Sequence, residues 1–235
     1  MLTRPMTASR SRRWWSRHGL SLVELMVGIA VGLLVVAGAL SISARNLANS
    51  HRLLADARFN QDLRAAMDLI TRDLRRAGYW GNAIQGTQAV GATSSTTPNP
   101  YSAFTGENAS GFTYGFSRDS TENNSLDSNE QFGFRIHSGA LQMQRDSEGW
   151  QDVTDVKVLR VADDGLVITP AVSVLPLGHL CPKICNAGTP DCPTATVRSY
   201  GVTLTASSAA DTTLTRTLRT AVRLRNDQLS GRCPA

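Results

Sequence analysis

The chain has 235 residues, 41% hydrophobic and 18% charged, which is ample for a packed core and excludes a disordered chain. Its formal charge of +5 would point to nucleic acid or an anionic surface. Yet five of the 24 basic residues (Arg4, Arg10, Arg12, Arg13 and Arg17) fall in an acid-free stretch of 19, leaving 19 basic against 19 acidic residues beyond it, so no nucleic-acid partner is expected.

After this Arg-rich start, Leu25 to Ala44 carry no charge. Twenty such residues at helical rise span about 30 Å, the hydrocarbon thickness of a bilayer. Positive charge before the run places the leader in the cytoplasm and the remainder on the far side of an inner membrane. A secretory signal peptide cut near Ala39 or Ala44, or a plain single-pass anchor, accounts for the apolar run. Neither accounts for Glu24, a carboxylate at its edge, where an acid is costly unless it is interfacial or paired.

The string Arg17-His18-Gly19-Leu20-Ser21-Leu22-Val23-Glu24-Leu25 resembles a class III (type IV prepilin) signal. It departs from the major-subunit pattern in two places: His18 precedes the Gly, and Leu20 stands where Phe is usual. The resemblance implies cleavage between Gly19 and Leu20 by a prepilin peptidase and N-methylation of Leu20. It also implies a filament charge pair between Glu24 and the Leu20 amine of a neighbouring subunit. Residues 1–19 are then a leader peptide, and 20–44 the transmembrane and assembly half of a helix. No Pro lies between Gly19 and Gly78, so any break in this helix would rely on Gly32 or Gly38.

The amphipathic half of the helix covers 45–78. Leu63, Met67, Ile70, Leu74 and Ala77 recur at spacings of three and four, one apolar stripe suited to a core. Gly78 reads as a C-cap glycine, with Arg75 and Arg76 placed where cations suit the helix dipole. The run Asp73-Leu74-Arg75-Arg76-Ala77-Gly78-Tyr79 resembles the block that closes the long helix in PilW-type minor pilins. The matching positions of this helix-end motif are Asp73, Arg75, Gly78 and Tyr79.

Between 81 and 130, 29 of 50 residues are Gly, Ser, Thr, Asn or Pro, so 79–130 reads as a surface loop region held down by scattered aromatics. From 131 to 235 the period changes to two. Phe132, Phe134 and Ile136 alternate, Ser138-Gly139 reads as a turn, and Leu141 and Met143 follow. Asp163-Asp164-Gly165 reads as the turn of a hairpin between 156–161 and 166–168. Leu218, Thr220, Val222 and Leu224 share one face, with Arg219, Arg223 and Arg225 on a solvated one. The fold class expected is α+β: a long N-terminal helix packed on a mainly antiparallel β-sheet.

Cys181, Cys185, Cys192 and Cys233 form an even set, and the inferred topology puts them where disulfides persist. Three pairings are open. The resemblance to pilins with a disulfide-stapled C-terminal region points to one bridge within 181–192 and a second reaching Cys233. The rival is zinc on His179, Cys181, Cys185 and Cys192, at a spacing that lacks a tight Cys-x-x-Cys pair. No phosphate-cradling loop, nucleophile elbow or His-Glu-x-x-His helix is present, and the histidines are isolated, so no catalysis, metal or cofactor is expected.

The leading expectation is a structural subunit, a minor pilin that helps prime type IV pilus assembly with other minor pilins and the major pilin. Its place would be the inner membrane and then the pilus at the cell surface. A type II secretion minor pseudopilin is the near alternative. A membrane-anchored binding protein or enzyme using the 81–130 loop is the alternative of another class.

Overall fold

A computed structural model describes residues 19, 21–88, 90, 97–106, 111–145, 149–186, 188–189 and 192–235. The chain divides into two compact units, Met1–Arg52 and Leu53–Ala235. One helix, α1 (Leu22–Leu74), belongs to both. It runs without a break over Gly28, Gly32 and Gly38, so the glycines do not interrupt the helical hydrogen bonding.

In the first unit every described side chain is exposed, including Leu22, Val23, Leu25, Met26, Val27 and Ile29. In the second unit the period-3.6 stripe is buried as expected: Phe59, Leu63, Met67, Ile70, Leu74 and Ala77 all lie in the core. They share that core with two antiparallel sheets, where a single sheet was expected. The first sheet, in order β1-β2-β3-β4-β5, contains β1 (Phe104–Thr105), β2 (Gly111–Gly115), β3 (Gln131–His137), β4 (Ala140–Arg145) and β5 (Trp150–Asp152). The second contains β6 (Leu159–Pro176), β7 (Thr194–Ser208) and β8 (Thr215–Arg223), with β9 (Gln228–Ser230) also paired to β7. The class is α+β, one long N-terminal apolar helix followed by antiparallel sheets.

The stretch read as surface loop supplies β1 and β2 and a run of packed rings. Phe116 stacks on Phe132 with centroids 4.1 Å apart, and Phe104 stacks on Tyr200 of β7 at 4.3 Å, joining the two sheets. Composition misled here because the small residues of β2 alternate with rings: Phe112 and Tyr114 are buried on one face of the strand, and Gly111, Thr113 and Gly115 fall on the other. The β3–β4 turn falls at Ser138-Gly139 as expected, both residues at positive φ (53° and 82°), the backbone of a two-residue hairpin.

The Asp163-Asp164-Gly165 turn does not exist. β6 continues through it, and both flanks pair with β7: Val161 with Ala206, then Leu166 with Leu204. Residues 162–165 stand opposite Thr205 as a bulge, with Asp163 and Asp164 exposed. Gly165 is needed for close approach, since a Cβ there would sit 2.6 Å from the Thr205 carbonyl oxygen.

All four cysteines are bridged, Cys181 to Cys233 and Cys185 to Cys192. This overturns the zinc alternative, because no thiolate remains to bind a metal. The bridges close the tip between β6 and β7 and tie the segment after β9 to it. Chain-entropy estimates put the long Cys181–Cys233 loop at about 4 kcal/mol and the short one at about 2.4 kcal/mol. Urea denaturation of the two paired Cys→Ala variants should therefore show the larger loss for Cys181/Cys233.

Candidate functional site

Two groups of residues singled out by the sequence lie far apart along α1. At its start, Gly19 is exposed, Leu20 and the Arg-rich leader lie outside the described residues, and Ser21 precedes the helix. The Leu25 amide donates to the Ser21 carbonyl at 3.0 Å, closing the first turn. Glu24 sits in that turn with its side chain exposed, where a carboxylate suits the positive end of the helix dipole. Beyond it the exposed apolar surface continues, and α1 is long and apolar enough to cross a membrane.

At the other end, the helix-end motif is the joint of the second unit. An α-helix leaves its last carbonyls without intrahelical donors. Here the amides of Arg75, Arg76 and Ala77 donate to the carbonyls of Thr71, Asp73 and Leu74, and it is the carbonyls of the turn after α1 that are met from outside. The Arg225 amide donates to the Arg75 carbonyl at 3.3 Å, Asn226 Nδ2 to Ala77 at 3.3 Å, Asn99 Nδ2 to Gly78 at 2.9 Å, and the Ser117 amide to Tyr79 at 2.9 Å. Gly78 adopts φ +74°, as a C-cap glycine should, but its amide donates to the Gly115 carbonyl of β2 at 2.8 Å instead of back into the helix. A Cβ at Gly78 would also lie 2.9 Å from Nη2 of Arg198 on β7.

The motif side chains take different roles. Asp73 is buried, accepts a hydrogen bond from the Tyr114 hydroxyl at 3.1 Å, and lies 3.6 Å from Arg76. Burial first, and then the Asp73 charge and hydrogen bond, push the Tyr114 hydroxyl well above its ordinary pKa, so it remains a donor. The Arg76 guanidinium stacks 4.1 Å above the Phe116 ring. Arg75 and Tyr79 face solvent, and the neighbouring Trp80, which the sequence reading did not single out, is buried and donates to Asn124 at 2.9 Å.

The sequence reading also missed a carboxylate group in the loop before β3. Ligand oxygens of Asp119, Asp127 and Glu130 lie within 4.8 Å of one another. Glu130 is fully buried and already accepts from Tyr101 Oη (3.0 Å) and from the amides of Arg118 (2.8 Å) and Asp127 (3.2 Å). Desolvation, then the charges of Glu130, Asp127 and Glu122, raise the Asp119 carboxyl above its usual range. Burial alone would raise Glu122 too, but hydrogen bonds from Ser117, Tyr101 and the amides of Asn124 and Gly81 outweigh it and bring it lower. The signal available in the sequence was the acid and amide density of 119–130.

A family model, prepilin peptidase-dependent protein B, matches residues 52–224, well over half of the chain. The chain belongs to the prepilin peptidase-dependent protein B family. It is thus a type IV pilus-related protein with an N-terminal apolar helix. The match covers the helix-end motif and strands β1 to β8 and begins after the Gly19–Glu24 segment. No curated protein and no solved structure matches the chain significantly.

The Asp73–Tyr114 contact joins α1 to β2, so its loss should loosen the core between them. Tyr114→Phe, which leaves the buried carboxylate without its hydroxyl donor, should lower unfolding free energy by about 1–3 kcal/mol in urea titrations.

Proposed function

We propose that this chain is a minor pilin of the PilW type, a structural subunit that helps prime assembly of a type IV pilus. The observation that carries the reading is an exposed, uninterrupted apolar helix that begins at Leu22, shortly after Gly19 and with Glu24 in its first turn, in a member of a family described as prepilin peptidase-dependent. In this reading a prepilin peptidase cuts between Gly19 and Leu20, and the new amine of Leu20 is N-methylated. The subunit waits in the inner membrane with residues 53–235 on the periplasmic side, then enters the filament with other minor pilins and the major pilin. It catalyses nothing and needs no cofactor.

The chemistry of assembly then rests on two charges. Moving Glu24 into the apolar centre of a filament requires a cation, and the Leu20 amine of a neighbouring subunit supplies it. Removing one partner of a buried pair leaves the other uncompensated, a loss of about 3–5 kcal/mol. The Arg-rich leader supports the orientation by holding the N-terminal side in the cytoplasm. The two disulfides support an oxidising compartment for the second unit.

Intact mass and N-terminal sequencing of membrane-extracted protein should give a chain beginning at methylated Leu20. A start after Ala39 or Ala44, or an uncut Met1, overturns the reading. In cells, deletion of the gene should abolish surface pili, and wild type should restore them. Glu24→Ala should be cut normally yet fail to restore them. Loss of protein export with pili intact would assign the subunit to a secretion filament instead.

A further inference from the structure

Next to the helix-end motif lies a concavity of about 560 Å³ with four arginines in its wall: Arg75, Arg76, Arg118 and Arg225. Tyr79 and Asn226 line it as well, and no acidic side chain does. This clustering is unusual in a chain that is formally neutral beyond its leader. The arginines come from three separate parts of the sequence. Arg75 and Arg76 lie in the helix-end motif, Arg118 follows β2, and Arg225 follows β8. The Arg225 amide bonded to the Arg75 carbonyl at 3.3 Å brings two of these segments together.

Two of the guanidinium groups are held in place. Arg76 lies over Phe116 and 3.6 Å from Asp73, and Arg118 Nη1 donates to the Asn129 carbonyl at 3.3 Å. Arg75 and Arg225 are exposed, and among the described residues neither forms an ion pair. The carbonyls at the helix end, which would repel an anion, are already engaged by the Arg225 and Ser117 amides and by Asn226.

We propose that this concavity is a docking site for an acidic segment of another protein, its Asp or Glu carboxylates held by Arg75 and Arg225 beside the oriented Arg76 and Arg118. Planar guanidinium groups match carboxylates in paired hydrogen bonds. A nucleic acid fits less well, because phosphate-backbone binding draws on charge spread along a surface. Here four guanidinium groups from three segments converge on one concavity instead of lining an extended groove. The inference goes beyond the pilin reading and does not depend on how the N-terminus is processed or which filament the subunit joins.

The test uses the full-length protein in neutral detergent and fluorescent hexaglutamate, read by anisotropy. Saturable binding should weaken when salt rises from about 50 to about 500 mM, as screening requires. Arg75→Gln/Arg225→Gln should bind at least about tenfold more weakly. Both side chains are exposed, and among the described residues neither forms an ion pair, so thermal unfolding of this variant should match wild type. Arg216→Gln/Arg219→Gln on β8 should bind as wild type does. Three outcomes would overturn the proposal: no binding by wild type, equal binding by the Arg75/Arg225 variant, or tighter binding of an oligothymidylate of matched charge at the same arginines.

Discussion

The turn that follows a long helix presents carbonyls that need donors, and in this protein that requirement ties α1 to both sheets. The carbonyls of Arg75, Ala77, Gly78 and Tyr79, just beyond the last residue of α1, take hydrogen bonds from the segments following β2 and β8 and from Asn99, while the Gly78 amide is given to β2. One turn of chain thereby links the end of α1 to both sheets. The buried Asp73 adds direction to the joint, since its carboxylate meets a hydroxyl from β2 on one side and Arg76 on the other. A motif first noticed as a string of letters is therefore a set of backbone and side-chain contacts made at a single place.

How much of this was legible in the sequence depended on whether the deciding interaction was local. The helix and its buried stripe were readable because 3.6-residue periodicity and a terminal Gly are local signals. The Ser138-Gly139 turn was readable for the same reason. The Asp163-Asp164-Gly165 turn failed because the winning interaction is non-local: β7 pairs with both flanks and draws β6 straight through. Composition hid β1 and β2 within 79–130 because small residues alternate there with buried rings, and a count of Gly, Ser, Thr, Asn and Pro does not register the alternation. The arginine concavity was invisible for the same cause, its parts being joined only by the helix-end hydrogen bonds.

The two units carry different physical demands. The first presents an apolar surface with one acid at its edge, which is a poor arrangement in water and a workable one against lipid or other apolar helices. The second has a buried core with aromatic stacking and a disulfide-closed tip. Beyond residue 19 acidic and basic residues balance, while four arginines gather at one concavity in the second unit.

The connectivity of the tip also bears on how its bridges form. Cys181 precedes β7, β8 and β9, whereas its partner Cys233 follows all of them. Along the chain Cys181 lies close to Cys185 and Cys192 but 52 residues from Cys233, and closing the shorter loops is entropically easier. A bridge from Cys181 to a near neighbour therefore competes with the pairing seen here, and thiol–disulfide exchange is the route by which such a bridge gives way to Cys181–Cys233. The tip is thus a place where oxidative folding of the chain depends on exchange and not on oxidation alone.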